Sequence, residues 1–122
     1  HGPGDKTYPS PLDALKVVKN RHELMGICMD VGHTARIGEN PVEVLQKCSQ
    51  RLYDFHMKDV TEATANGKPC IVGKGVIDVR ALLKALVNMT FPYHVALEYE
   101  TDWTAPMPGM IASFEHMRQV LA

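Results

Sequence analysis

The sequence has 122 residues, enough for one domain with a modest hydrophobic core. Its composition, with 45% hydrophobic and 22% charged residues, is that of an ordinary globular protein, so neither a disordered chain nor a membrane span is expected. The formal net charge is -1 and the sequence has no cluster of Lys and Arg residues. General binding to the phosphate backbone of a nucleic acid is therefore not expected.

The three cysteines, Cys28, Cys48 and Cys70, are odd in number and lack the close spacing of zinc ligands. We interpret all three as reduced and mostly buried side chains, which favours a cytoplasmic protein. No signal peptide is visible, but the chain starts at His1 without an initiating Met. Its first residues resemble the middle of a longer protein.

Helix and strand signals alternate along the chain. Two helices are predicted to begin with a capping side chain followed by proline, at Ser10-Pro11 and at Asn40-Pro41. A third helix follows a cap at Asp78, and an apolar face predicts a last helix over residues 109–121. Strands are predicted over residues 24–31, 52–57 and 93–99. The intervening loops cover residues 32–40, 58–75 (with a short hairpin arm at 69–72) and 101–108.

This alternation predicts an α/β fold in which parallel strands are joined by helical crossovers. One face of each strand is apolar, whereas the other becomes polar toward the carboxyl end, as in a barrel with a site at its top face. A closed barrel of this type needs eight strands, and three are found. We therefore interpret residues 1–122 as one partial domain, the carboxyl-terminal half of a (β/α)8 TIM barrel, with open edges that a second copy or a missing amino-terminal half would cover.

Three side chains at the carboxyl ends of the predicted strands, Asp30, His56 and Glu98, fall on one face. Two carboxylates and an imidazole suit a divalent ion such as Mn²⁺, Mg²⁺, Co²⁺ or Zn²⁺, which polarises a substrate carbonyl. For each residue alone a structural role is the stronger interpretation, such as a cap for Asp30 or a hydrogen-bonded histidine for His56. The joint pattern of all three favours a metal site.

Four further residues are candidates for substrate contact. His33 lies just past a strand end and contacts substrate, orients Asp30 or makes loop hydrogen bonds. Lys58 points inward and contacts an anionic group of the substrate or forms a salt bridge with Asp54 or Asp30. Glu100 is an alternative ligand or a rim residue, and Trp103 stacks on a sugar ring or packs within a lid.

Several motifs resemble those of the xylose isomerase-like TIM barrel superfamily, and within it the sugar phosphate isomerase/epimerase type. The match covers essentially the whole chain, as the fifth to eighth units of the barrel. The motifs are Asp30-Val31-Gly32-His33-Thr34, His56-Met57-Lys58-Asp59, Gly73-Lys74-Gly75-Val76-Ile77 and Leu97-Glu98-Tyr99-Glu100.

The resemblance implies a divalent metal held by carboxylates from the fifth, sixth and eighth strands and by a histidine from the seventh. Three of these ligands map to Asp30, His56 and Glu98, and the fourth would lie just before His1. The resemblance also implies that Glu98 moves protons next to the substrate carbonyl. An arginine that some epimerases use has no clear counterpart, so Lys58 or Lys74 would replace it.

The expected function is that of a metal-dependent sugar or sugar phosphate isomerase or epimerase, acting on a small-molecule sugar, with the isolated chain inactive. One alternative is a lyase on the same scaffold, such as an inosose dehydratase. Phosphodiester cleavage, as in the apurinic endonuclease branch, is disfavoured because it needs more zinc ligands and a basic DNA-binding face. Another alternative is a non-catalytic sugar-binding or metal-binding domain.

Overall fold

The computed structural model describes all residues from 1 to 122. It contains five helices, five short strands and one turn of 3-10 helix at Ser49–Arg51. The helices are α1 Pro11–Val18, α2 Val31–Arg36, α3 Pro41–Cys48, α4 Val79–Asn88 and α5 Met107–Leu121. The strands are β1 Ile27–Asp30, β2 Leu52–Met57, β3 Asp59–Val60, β4 Pro69–Cys70 and β5 Val95–Leu97.

Three of the strands form a parallel sheet in the order β1-β2-β5. The apolar face of this sheet carries Met29, Phe55 and Met57, which are all fully buried. They belong to one core cluster with residues of the helices, including Leu45 and Leu82. The predicted α/β fold, with parallel strands joined by helices, is therefore confirmed.

The predicted helix caps are confirmed by the hydrogen bonds at the helix starts. The Ser10 hydroxyl accepts the Leu12 N–H at 3.0 Å, and the Asn40 side chain accepts the Val42 N–H at 2.9 Å. Asp78 caps α4 by accepting the Ala81 N–H at 2.9 Å. Each cap satisfies a backbone donor that the first turn of the helix leaves without a partner.

The first strand is shorter than predicted, and a helix replaces the loop predicted after it. Leu24 is 81% exposed, so the apolar residues before Ile27 do not join the sheet. The helix α2 starts directly after Asp30, because the Asp30 carboxylate accepts the His33 N–H at 2.8 Å and acts as its cap. A helix of only six residues has too few apolar positions for its periodicity to be recognised.

The two remaining strands form the predicted hairpin arm. β3 and β4 pair antiparallel, with Asp59 opposite Cys70 and Val60 opposite Pro69. The last helix begins two residues before its predicted start, and only part of its predicted apolar face is buried. Met117 packs in the core, whereas Ile111 and Phe114 are exposed.

The cysteines are only partly as predicted. Cys48 is buried, Cys70 is half-buried and Cys28 is exposed, because Cys28 points to the face of the sheet opposite the helices. All three thiols are free. No helix has both the length and the apolar composition that crossing a bilayer requires.

The buried carboxylate of Asp59 organises the glycine-rich loop that precedes α4. It accepts the N–H groups of Gly73 at 2.8 Å, Gly75 at 2.9 Å and Ile77 at 3.1 Å. A Cβ at Gly75 would lie 2.2 Å from this carboxylate, so the close approach requires glycine. The final residue of the His56–Asp59 motif and the loop 73–77 are therefore one structural unit.

Replacing Asp59 by Asn is expected to lower the free energy of unfolding by about 3 kcal/mol, because buried N–H groups lose a charged acceptor. Urea denaturation measures this change. The control is Asp78→Asn, which should leave the midpoint nearly unchanged because Asn caps a helix as well as Asp does. Equal effects of the two substitutions would contradict the organising role of Asp59.

Candidate active site

The register of the sheet brings the predicted site residues to one edge. Asp30 of β1 lies opposite His56 of β2, and His56 lies opposite Ala96 of β5. Glu98 follows β5 directly, and its N–H bonds to the Met57 carbonyl at 3.0 Å. Because residues two apart share a face, Glu98 lies on the same face as Ala96 and His56. The carboxyl ends of the three parallel strands thus carry two carboxylates and an imidazole.

The imidazole of His56 lies between two carboxylates. Its Nδ1 is 3.4 Å from Oε2 of Glu98, and its Nε2 is 3.6 Å from Oδ2 of Asp54. A neutral imidazole has one N–H and one lone pair, so it can donate to only one of the two. The lone pair of the other nitrogen then points toward the second carboxylate, which is negatively charged. This arrangement favours a metal cation on one side of the ring.

Both oxygens of the Asp30 carboxylate have protein partners. Oδ1 accepts the His33 N–H at the start of α2, and Oδ2 lies 3.2 Å from Nζ of Lys58. Asp30 is almost fully buried. Its role as a helix cap is therefore observed, and the cap does not exclude a second role for Oδ2.

Lys58 was predicted to contact substrate, but its side chain is only 1% exposed. Its ammonium group lies 2.5 Å from Oε2 of Glu100, 3.2 Å from Asp30 and 3.2 Å from Nε2 of His33. The stem packs against Gly32, where a Cβ would lie 2.6 Å from Cγ of Lys58. Lys58 therefore contacts protein groups. This agrees with the alternative prediction, in which Lys58 forms a salt bridge with Asp30.

His33 is half-buried beside Lys58. An ammonium group can only donate, so Nε2 of His33 is the acceptor and the proton of the neutral ring lies on Nδ1. Burial lowers the pKa of His33 below its ordinary value, and the nearby Asp30 opposes the shift. Nδ1 is buried without a hydrogen-bond partner, next to Gly2. His33 is thus a neutral donor at the edge of the site.

The remaining two candidates differ in their surroundings. Glu100 is half-exposed and bonds to Lys58, so it links the segment after β5 to the residue that follows β2. Trp103 lies in the loop that follows and is 79% exposed. Neither an aromatic pair nor a hydrogen bond joins the Trp103 ring to the residues above, and its predicted contact with a sugar stays a prediction.

A second group of side chains that could bind a metal includes two residues, Cys28 and Asp54, that the sequence analysis did not identify as ligands. The ligand atoms of Cys28, Asp54 and His56 lie within 4.8 Å of one another. The set of Asp30, His56 and Glu98 does not meet this spacing, because Asp30 is directed to Lys58 and to the His33 N–H. The alternation of residues 54, 56 and 58 on one face was the sequence signal for Asp54.

The donor chemistry at this edge fits a divalent cation. His56 and Glu98 offer an imidazole nitrogen and a carboxylate oxygen from adjacent strands, with 3.4 Å between the two atoms. Asp30 adds a further carboxylate on the other neighbour of β2. Such mixed nitrogen and oxygen ligands suit Mn²⁺, Co²⁺ or Zn²⁺, and the carboxylates suit Mg²⁺.

Replacing Lys58 by Met is expected to lower the free energy of unfolding by about 3 kcal/mol, because the buried Asp30 carboxylate loses its cationic partner. Thermal or urea denaturation checks this. Lys68→Met, at an exposed lysine of the hairpin arm, is the matched control and should have little effect. A stable Lys58→Met variant would contradict the structural role assigned to this ammonium group.

The thiols are expected to react slowly with iodoacetamide at neutral pH and faster as the pH rises. Partial desolvation on the surface of the sheet raises the pKa of the exposed Cys28 thiol to about 11, with a contribution from the charge of Asp54. Burial raises the pKa values of Cys48 and Cys70 to about 11. At pH 7 such a thiol is ionised in only about one molecule in ten thousand. Mass spectrometry of the labelled peptides should show Cys28 reacting before the buried Cys48, and rapid labelling at neutral pH would contradict these pKa values.

Comparison with known proteins places the chain in a family. The xylose isomerase-like TIM barrel family matches residues 1–120. An inosose dehydratase of Clostridium botulinum is 28% identical over 106 residues, which cover 75% of this chain and 35% of that protein. The chain therefore spans about a third of the length of this curated relative.

Solved structures show the same fold. The xylose isomerase domain protein from Planctomyces limnophilus has a TM-score of 0.78 and 21% identity, over 91% of this chain and 43% of that one. The 3-keto-D-glucoside 4-epimerase from E. coli has a TM-score of 0.75 and 21% identity, over 94% and 41%. The predicted resemblance is confirmed, and the three parallel strands form part of a TIM barrel. The chain belongs to the xylose isomerase-like TIM barrel family.

Proposed function

We propose that the protein carrying this chain is a metal-dependent isomerase or epimerase of a sugar or sugar phosphate. The observation that carries the proposal is the position of His56, with the Glu98 carboxylate 3.4 Å from one ring nitrogen at the carboxyl ends of adjacent strands. Active sites of TIM barrels lie at this end of the strands. The proteins similar to this chain include a dehydratase and an epimerase.

His56, Glu98 and Asp30 would hold the metal, which is Mn²⁺, Mg²⁺, Co²⁺ or Zn²⁺. A divalent ion there supplies Lewis acidity, so that a neighbouring carbonyl of the substrate is polarised and the adjacent C–H becomes more acidic. The chain contributes the positions of these donors. Lys58 holds the Asp30 carboxylate, and the α2 cap fixes its other oxygen.

Glu98 is the proposed general base. Its carboxylate is about one-third exposed, so a substrate can reach it from the open face of the sheet. It would remove the proton from the carbon next to the carbonyl and return it to the same or the neighbouring carbon. Epimerisation also needs an acid on the opposite side of that carbon, which we expect upstream of His1.

Polar residues around Glu98 would position the substrate. Glu100 would accept a hydrogen bond from a substrate hydroxyl through the carboxylate oxygen that Lys58 does not occupy. His33 would act indirectly by holding Lys58, because its Nε2 faces the ammonium group and its Nδ1 is buried. Trp103 would stack on the sugar ring, since its exposed indole is available. Partners other than a small sugar are a second copy of the chain or an amino-terminal half, because the sheet ends in β1 and β5 without further neighbours.

A second candidate function is an inosose dehydratase-like lyase. The similarity to the dehydratase of Clostridium botulinum favours it. The first step is the same, since Glu98 removes a proton next to a carbonyl, but a hydroxide then leaves from the next carbon instead of the proton returning. If no proton transfer occurred, the remaining hypothesis would be a non-catalytic sugar-binding or metal-binding domain.

We also propose a cytoplasmic location. This proposal depends on the free cysteines alone.

The test is incorporation of solvent deuterium into ketoses and keto-inositols by the full-length protein with Mn²⁺, followed by NMR. Wild-type protein is expected to exchange the hydrogen next to the carbonyl, and Glu98→Gln is expected to lose about 10²-fold or more of this rate. Glu115→Gln, at an exposed glutamate of α5, is the control and should exchange at the wild-type rate. The 122-residue chain alone should be inactive.

The products separate the candidates. A new stereoisomer or an aldose identifies an epimerase or isomerase, and a dehydrated ketone identifies the lyase. Absence of exchange with every substrate, in a protein that binds Mn²⁺, would contradict the enzymatic proposal.

A further inference from the structure

We propose that Cys28, Asp54 and His56 form a site of their own for a thiophilic divalent cation such as Zn²⁺ or Co²⁺. The three residues, here called the thiol site, are the group whose ligand atoms lie within 4.8 Å of one another. The thiol site uses two residues outside the proposed catalytic set. It does not depend on the proposed isomerase or epimerase activity.

The sheet register holds the three donors together. Cys28 of β1 lies opposite Asp54 of β2, and His56 follows Asp54 by two residues on the same face. One oxygen of Asp54 accepts the Phe55 N–H at 2.9 Å, which leaves Oδ2 directed toward His56. Two adjacent strands therefore fix the positions of the donors, so that binding of a metal ion would not require any loop to rearrange.

The charges at this position favour a cation. The Asp54 carboxylate lies 3.6 Å from Nε2 of His56, and Glu98 lies near the other ring nitrogen. The imidazole can donate a proton to only one of these carboxylates. If Nδ1–H serves Glu98, then the lone pair of Nε2 faces Asp54, and a cation between them removes the repulsion.

The kinds of donor atom select the metal. A thiolate, an imidazole and a carboxylate together match Zn²⁺ and Co²⁺ better than Mg²⁺ or Mn²⁺, which prefer oxygen ligands. Cys28 is exposed and its thiol lies on the open face of the sheet, so an ion can reach it. On binding, the thiol proton is released to solvent and the sulfur binds the metal as thiolate.

The thiol site and the proposed catalytic ion share one imidazole. An ion between Asp54 and His56 would take Nε2, whereas the proposed catalytic ion would take Nδ1 beside Glu98. A neutral imidazole has only one lone pair, so only one of the two positions can be filled at a time. The identity of the metal would therefore decide which side of His56 is used.

Titration of the purified protein with Co²⁺ tests the thiol site through the near-ultraviolet thiolate-to-cobalt charge-transfer band. The band is expected in the wild type, and it should be lost in Cys28→Ser and weakened in Asp54→Asn. It should persist in Cys70→Ser, the matched control, and in Glu98→Gln, which removes the proposed catalytic donor. Activity assays on the same samples report separately on the proposed function.

Protection from alkylation gives a second measurement that needs no substitution. Zn²⁺ is expected to slow the labelling of Cys28 about tenfold or more, because a coordinated thiolate is a poor nucleophile, and to leave Cys70 unchanged. Absence of the cobalt band, its survival in Cys28→Ser, its loss in Glu98→Gln, or equal labelling of Cys28 with and without Zn²⁺ would overturn the proposal.

Discussion

The buried ammonium group of Lys58 is the interaction on which the edge of the sheet depends. A charged group with 1% exposure is stable only where opposite charges and hydrogen-bond acceptors surround it. Asp30 at the end of β1 and Glu100 beyond β5 supply the carboxylates, and His33 of α2 supplies a neutral acceptor. One side chain directly after β2 thus connects the neighbouring strands and the short helix, and it fixes the carboxylate of Asp30.

The fold follows from patterns that short stretches of sequence contain. Ser10-Pro11 and Asn40-Pro41 mark helix starts because capping and a fixed φ are local properties. The alternation around Met29 and Phe55 predicts which face is buried, and the alternation of strands with helices indicates a parallel sheet. These rules also place Asp30 and His56 at the same edge, since parallel strands align their carboxyl ends.

The pairing of side chains at that edge could not be predicted in the same way. The sequence left three candidate partners for Lys58, namely substrate, Asp54 and Asp30. Only the register of β1 against β2 and the space left by Gly32 decide among them. The six-residue helix α2 was missed because its stability comes from the Asp30 cap and from packing, not from periodicity. The group formed by Cys28, Asp54 and His56 joins two strands, so no spacing along the chain reveals it.

The proposed chemistry requires a cation bound at the Glu98 side of His56. Anomalous diffraction from crystals of the full-length protein grown with Mn²⁺ measures this most directly. We expect an anomalous peak in contact with Nδ1 of His56 and the Glu98 carboxylate, near the Asp30 side chain. Well-ordered side chains at these positions with no manganese peak between them would contradict it.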